Sequence, residues 1–65
     1  MTKRSKMSGE EFRTLRDVLG MTQEQLGTRM GVDGRTIRKW ENNERNIPGP
    51  AIELAKILVE LKSKT

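Results

Sequence analysis

The chain has 65 residues, with 13 lysines and arginines against 9 aspartates and glutamates, and neither cysteine nor histidine. This length suits one domain, and the missing residue types exclude disulfides, Cys- or His-based zinc sites and imidazole catalysis. The acidic residues also lack the spacing of a calcium loop. We therefore expect no metal, no cofactor, no catalytic residues and no enzymatic activity, while the net charge of +4 favours a polyanionic partner.

The sequence has no segment with the composition of a membrane span or an export signal. No apolar run approaches the roughly 20 residues that cross a bilayer, and the basic start, Met1 to Lys6, is not followed by the apolar core of a signal peptide. We expect a cytoplasmic protein without membrane contact. The predicted organisation is a flexible basic arm over residues 1–6, a folded domain over residues 7–62 and a frayed end over residues 63–65.

A pattern that starts helices occurs three times along the chain. Ser8 and Thr22 are suitable N-cap residues, and each is followed three positions later by a partner for a capping box, Glu11 and Gln25. Asp33 can cap a third helix in the same way. Three helix starts in so short a chain leave no room for a sheet. The sequence therefore predicts an all-α fold of four to five short helices.

The expected helix ends agree with these starts. Gly20 and Gly31 stand where a left-handed residue ends the first and second helices. Asn43 can do the same for the third helix, because asparagine tolerates a positive φ. Proline is well accepted in a first helical turn, so the fourth helix should begin near Pro50 and run from Ala51 to about Lys62.

Apolar residues recur with helical periodicity and predict the core. In the first three helices the predicted core residues are Phe12, Leu15, Leu19, Leu26, Met30, Ile37 and Trp40. In the fourth helix they are Ala51, Leu54, Ala55, Leu58 and Leu61. Ile52, Ile57 and Val59 fall elsewhere on that helix, which therefore carries more apolar surface than one small core requires.

The stretch from Gln23 to Asn42 has the organisation of a helix-turn-helix. Two helices of roughly eight residues are separated by a turn of three, and so short a turn forces a steep crossing. Gly31 supplies the glycine of the turn, and Gly27 is a small residue where the two helices must approach closely.

On these residues the chain resembles the Cro/C1-type (xenobiotic-response-element) helix-turn-helix regulators of bacteria and phages. The resemblance covers about residues 10 to 60 and rests on Leu15-Arg16, the run from Leu19 to Leu26, Gly31-Val32, and the run from Thr36 to Glu41. It implies a compact bundle similar to lambda repressor that binds double-stranded DNA. The run from Ile47 to Ala51 is similar to small antitoxin-type members. Gly27 and Asn43 replace the family's usual alanine and glycine, and both suit the local geometry.

In this architecture the third helix lies in the major groove, with its N-terminal half toward the base edges. Ile37 and Trp40 must face the core, so the opposite face of the helix meets DNA. The predicted base-reading residues on that face are Gly34, Arg35, Arg38 and Lys39. The cationic side chains can donate to guanine O6 and N7, and the glycine would let the backbone approach a base. Arg38 could alternatively grip a phosphate.

Phosphate contacts are expected at helix N-termini and in the loop after the third helix. The predicted contacts are Thr22, Gln23, Thr36, Asn42, Asn43 and Arg45. For Gln23 this role is implied by the family resemblance.

Several charged residues have two open interpretations. Arg13 and Arg16 either touch phosphates or form surface ion pairs with Glu10 or Asp17, and the arm lysines and arginine either follow a groove or stay disordered. Asp33 either caps its helix or accepts from a cytosine amine. Glu41 is expected to pair with an arginine near the end of the third helix.

The surplus apolar surface of the fourth helix favours a homodimer, at least on DNA, because one helix-turn-helix reads only a half-site. The interface candidates are Ile52, Ile57, Val59 and Leu61. The sequence thus predicts a dimeric transcriptional repressor that reads a palindromic operator, without a small-molecule ligand. The alternative is an antitoxin-like protein whose fourth helix binds a protein partner. RNA is disfavoured, because both aromatic residues are expected in the core and offer no stacking platform.

Overall fold

The computed structural model describes residues 7–64, which form four α-helices and no strand. The helices are α1 (Gly9–Leu19), α2 (Gln23–Met30), α3 (Gly34–Glu41) and α4 (Gly49–Ser63). The predicted all-α bundle, with a helix-turn-helix formed by its second and third helices, is confirmed. The expected basic arm over residues 1–6 and the last residue of the expected frayed end lie outside the described residues.

The helix starts form as their sequence patterns predict. The hydroxyl of Ser8 accepts the backbone N–H of Glu11 at 3.1 Å, and the Glu11 carboxylate accepts the N–H of Ser8 at 3.0 Å. Thr22 and Gln25 make the same reciprocal pair at 3.0 and 2.9 Å. The carboxylate of Asp33 accepts the N–H two residues later at 2.9 Å. These bonds satisfy amide groups that a helix N-terminus otherwise leaves unpaired.

The helix ends also follow the prediction. Gly20 and Gly31 have φ values of 70° and 79°, and Asn43 has a φ of 61°, all in the left-handed region. The fourth helix is slightly longer than expected, because Pro48 is its N-cap and the helix continues to Ser63.

The core lies where α1, α3 and α4 meet, with α2 packed against α3. Phe12 and Ile37 are completely buried, and Leu26 is nearly so. Phe12 meets Trp40 edge-to-face, with ring centroids 5.6 Å apart and an interplanar angle of 88°. This is a favourable geometry for two aromatic rings. It fixes the rotation of α3 about its own axis, since Ile37 and Trp40 must both face inward.

The predicted core face of α4 is partly wrong. Ile52, Ala55 and Leu58 are buried, whereas Leu61 is 55% exposed. On a helix this apolar, more than one face fits the helical period, and the position of α1 decides which face is covered. Ile52 was expected at a dimer interface, but it is only 1% exposed and belongs to the monomer core. It therefore leaves the set of interface candidates.

No helix within residues 7–64 is long and apolar enough to cross a membrane.

Candidate nucleic-acid interface

The close crossing of α2 and α3 depends on Gly27. A Cβ at this position would lie 2.6 Å from the carbonyl oxygen of Val32 and 3.1 Å from the amide nitrogen of Gly34. Real Cβ atoms do not approach a carbonyl oxygen so closely, so any larger residue would push the turn away from α2. The close approach predicted for Gly27 is present, and it sets the angle at which α3 leaves the turn.

Gly34, the first residue of α3, has a packing role that the sequence analysis did not assign. A Cβ here would lie 3.2 Å from the Cα of Glu24 and 3.4 Å from its amide nitrogen. The bare side of this glycine therefore faces the first turn of α2, which lets the two helix N-termini lie side by side. Its contact with a base stays a prediction.

The two adjacent helix N-termini form one open, polar groove. Its lining residues are Thr22, Gln23, Glu24, Asp33, Gly34, Arg35 and Arg38. The fold thus brings together two predicted phosphate contacts from α2 and three predicted base readers from α3. The guanidinium groups of Arg35 and Arg38 and the positive ends of two helix dipoles are there together with the carboxylates of Glu24 and Asp33.

Among the predicted base-reading residues, the three that carry side chains are accessible to a ligand. Arg35, Arg38 and Lys39 are all exposed. None of these side chains forms a hydrogen bond or ion pair with another residue in the range 7–64. Three cations without intramolecular partners on the outer face of one short helix produce a local positive potential, which attracts DNA phosphates before bases are read.

The loop after α3 contains further predicted contacts, and two of them are engaged within the chain. The Asn42 amide lies 3.4 Å from the Glu44 carboxylate, a long hydrogen bond between exposed groups. Oδ1 of Asn43 accepts the backbone N–H of Gly9 at 2.9 Å. Because that partner only donates, the NH₂ end of the Asn43 amide is the end left for a phosphate oxygen.

Two other predicted phosphate contacts differ in exposure. Arg45 is exposed and has no ion pair among the residues described, so its guanidinium is available to a phosphate. Thr36 is half-buried in the first turn of α3, where less of its side chain can reach DNA.

A partly buried ion pair joins α1 to α3 and is linked to α2 through Gln23, and sequence reasoning did not identify its arginine. The Glu41 carboxylate accepts from Arg16 Nε at 2.6 Å and from Arg16 Nη2 at 3.2 Å. The side chain of Arg16 is only 13% exposed, and that of Glu41 is only 4% exposed. Arg16 also donates to the carbonyl of Met21 at 2.9 Å, and Glu41 accepts from Nε2 of Gln23 at 3.0 Å.

These contacts correct one expectation and confirm another. Arg16 was expected to touch phosphate or to pair with Glu10 or Asp17, whereas it pairs with Glu41, 25 residues away in the sequence. Glu41 was expected to pair with an arginine near the end of α3, and Arg16 of α1 is that arginine. The hydrogen bond to Glu41 is the main reason that the pKa of the Arg16 guanidinium rises above its ordinary value. One signal was available: Glu41 comes four residues after Ile37 and so lies on the same helix face as the core.

The residues of this interface lie within a match to a known protein family. A family model for helix-turn-helix domains matches residues 12–60, which is more than half of the chain. The chain belongs to the Cro/C1-type helix-turn-helix family. The match runs from within α1 to within α4 and contains all of α2, the turn and α3.

Neither the curated proteins nor the solved structures gave a match to this Cro/C1-type domain. Membership of the family makes the protein a DNA-binding transcription regulator whose ligand is double-stranded DNA. The family is one of regulatory domains and is not typically enzymatic.

Proposed function

We propose that this Cro/C1-type domain is a dimeric repressor that reads a palindromic operator by inserting α3 into the major groove. The observation that carries the proposal is the outer face of α3, where Arg35, Arg38 and Lys39 are exposed and have no partners within residues 7–64. A charged side chain without an intramolecular partner loses no internal contact when it binds a base. Its full hydrogen-bonding capacity is available to DNA.

The roles of these side chains follow from their places on the helix. Arg35 and Lys39 are four residues apart and therefore lie above one another on one side of α3. Each can donate to O6 and N7 of a guanine. Arg38 lines the groove between the two helix N-termini, so it can reach either a base edge or the adjacent phosphate.

Phosphate contacts on both sides of α3 would fix its register in the groove. On one side, Thr22 and Gln23 stand at the N-terminus of α2. On the other side, Asn42, Asn43 and Arg45 follow the end of α3, and Thr36 lies between these groups. The positive ends of α2 and α3 add to the attraction for phosphate.

Dimer formation is supported by the apolar side chains that the monomer leaves uncovered on α4. Ile57 is 48% exposed, Leu61 is 55% exposed and Val59 is half-buried. Ile57 and Leu61 are four residues apart and share one side of α4, whereas Val59 lies on another side. Covering Ile57 and Leu61 with the same helix of a second copy would create a two-fold interface, the commonest arrangement in soluble oligomers. Two copies would then address half-sites about 34 Å apart.

A second candidate rests on the same side chains. An antitoxin-like protein would use Ile57, Val59 and Leu61 to bind a different protein, and DNA binding would remain. The Ile57→Glu variant addresses this surface directly, because Ile57 is exposed and lies on the same side of α4 as Leu61. The proposed interface is wrong if Ile57→Glu sediments as a dimer and keeps the operator affinity of the wild type.

The first experiment is selection of binding sites from random duplex DNA with the wild-type protein, together with a reporter assay for the selected site. We expect an enriched palindrome and reduced expression when the site overlaps a promoter. A selection that stays random while affinity falls steeply with salt would leave only nonspecific phosphate binding. Activation without repression would contradict the repressor role.

A further inference from the structure

The amide of Gln23 is held by Glu41 in one orientation. Nε2 of Gln23 lies 3.0 Å from Oε1 of Glu41. An ionised carboxylate only accepts hydrogen bonds, so the NH₂ end of the amide must face it and the carbonyl end must face away. One N–H of Gln23 is therefore used inside the protein, and the other has no partner within residues 7–64. Gln23 itself lines the groove between the two helix N-termini.

The carboxylate that holds Gln23 is itself neutralised. Arg16 donates to both oxygens of Glu41, at 2.6 and 3.2 Å, and the Glu41 side chain is 4% exposed. A carboxylate without this partner would repel a nearby phosphate. Paired with Arg16, Glu41 can stand behind a phosphate-binding residue while adding no net charge to the site.

We propose that Glu41 is a positioning residue for DNA binding, which acts by orienting the Gln23 amide so that its second N–H donates to a backbone phosphate oxygen. The inference rests on the proposed phosphate contact of Gln23 and deepens it. A free glutamine side chain samples several rotamers and both amide orientations, and it would lose that freedom on binding. The contact with Glu41 removes most of this freedom before DNA arrives, which raises affinity without an added contact.

The central variant is Glu41→Gln, which keeps the size of the side chain and changes its hydrogen bonding. The shortest bond at this site, from Arg16 Nε, would keep the oxygen of the new amide. Its NH₂ group would then replace Oε1, lose the bond from Arg16 Nη2 and face Gln23, which must turn its own carbonyl inward to accept. The NH₂ group of the inverted Gln23 amide then lies where the carbonyl stood, away from the position from which the oriented N–H donates to the phosphate.

The test is a double-mutant cycle with Glu41→Gln, Gln23→Ala and the double variant. The probes are a random-sequence 30-base-pair duplex at low salt and the selected operator, because phosphates are present in both. Ala55→Gly is the control for stability, since it removes a buried methyl group on α4 and touches neither side chain. Affinities are referred to the folded fraction, which is measured by thermal melting of each variant.

We expect each single variant to bind about tenfold more weakly, the typical effect of losing one hydrogen bond to a charged group. In the Gln23→Ala background, Glu41→Gln should not weaken binding, because its target is gone and the Arg16 charge that it leaves unpaired attracts phosphate. Ala55→Gly should bind as the wild type. A tenfold loss from Glu41→Gln in both backgrounds, or no loss in either, would overturn the inference.

Failure of the phosphate contact itself gives a different result. If Gln23→Ala binds both probes as tightly as the wild type, the proposed contact of Gln23 is wrong and the role of Glu41 falls with it. If the wild-type protein binds neither duplex, the proposed contact of Gln23 and the role of Glu41 are both overturned. If Gln23→Ala weakens binding and Glu41→Gln is additive with it, only the present inference is wrong.

A second readout needs neither DNA nor a substitution. In the wild-type protein, the two Nε2 protons of Gln23 should give separate, shifted NMR signals, with a nuclear Overhauser effect to the γ-methylene of Glu41. Signals at random-coil positions without that effect would contradict a held amide. This measurement keeps the inference open to refutation even if Glu41→Gln does not fold.

Discussion

Oδ1 of Asn43 accepts the backbone N–H of Gly9 at 2.9 Å, so the residue that ends α3 also caps the start of α1. Asn43 has a φ of 61°, a conformation in which most side chains are strained. One residue therefore serves two functions, the reversal of the chain after α3 and the joining of α3 to α1. Glycine, which the family usually has here, can serve only the first.

Substitutions at Asn43 should separate the turn from the cap. Asn43→Gly keeps the left-handed turn and loses the bond to Gly9, so we expect the free energy of unfolding to fall by about 1 kcal/mol. Asn43→Ala loses the bond and also strains the turn, for a loss of about 2 kcal/mol. Urea denaturation measures both. Equal stability of Asn43→Gly and the wild type would mean that the bond to Gly9 contributes no more than the backbone strain that glycine relieves, which contradicts the expected loss.

Asn43→Asp should weaken DNA binding and leave the stability of the fold nearly unchanged. Aspartate keeps the acceptor for Gly9, so we expect the free energy of unfolding to change by less than about 0.5 kcal/mol. It replaces the free NH₂ group with a negatively charged oxygen, so affinity for duplex DNA should fall at least about tenfold. Fluorescence anisotropy at fixed salt measures the affinity. Unchanged affinity would remove Asn43 from the phosphate contacts.

Gly9 should resist substitution, because its bare side faces the end of α3. A Cβ here would collide with the backbone carbonyl oxygens of Trp40 and Glu41. We expect Gly9→Ala to lower the free energy of unfolding by about 1–3 kcal/mol, the range for overpacking against a rigid neighbour. Gly49→Ala is the matched control, since a Cβ there meets nothing within 4 Å. Similar thermal melting of the two variants would contradict this packing.

Loss of Arg16 should be far more damaging than loss of a neighbouring arginine. Arg16→Met leaves the Glu41 carboxylate buried with only the Gln23 amide as a partner. Breaking this partly buried ion pair on one side should cost about 2 kcal/mol or more, between the values for exposed and fully buried pairs, which is equivalent to roughly 8 °C or more in Tm for a domain of this size. Arg13→Met is the control, because Arg13 is exposed and has no ion pair with residues 7–64. We expect it to stay within about 0.5 kcal/mol of the wild type.

Removing a base reader should change sequence preference and leave stability alone. Arg35→Ala and Lys39→Ala should each lose about 1–3 kcal/mol of discrimination at one or two positions per half-site. Lys56→Ala, which removes an exposed charge from α4, should preserve the preferred sequence. Repeating the selection from random duplexes with each variant measures these changes. A preference that survives both substitutions on α3 would mean that other residues read the bases.

Local signals predicted most of this fold because they act over a few residues. The capping boxes at Ser8 and Thr22 and the left-handed residues at Gly20 and Gly31 each depend on neighbours within four positions. The cationic face of α3 was predictable for the same reason, since the inward direction of Ile37 and Trp40 leaves only one face for DNA.

Features that join distant parts of the chain were not predictable in this way. Arg16 and Glu41 are 25 residues apart, and Gly9 and Asn43 are 34 apart. The local sequence shows at most that Glu41 shares a helix face with Ile37, and it does not identify the partner across the bundle. The burial of Ile52 in place of Leu61 was unpredictable for the same reason, because the apolar period of α4 does not reveal where α1 lies.

The absence of intramolecular partners for Arg35, Arg38 and Lys39 within residues 7–64 affects how such a protein can change over generations. Substituting these side chains removes no contact that holds the described helices together. If these side chains read the bases as proposed, single exchanges on the outer face of α3 would give new operator preferences and leave folding intact. Mutations in the Arg16–Glu41 pair would not, because they remove contacts that join α1, α2 and α3. Target choice and folding would then depend on separate sets of residues.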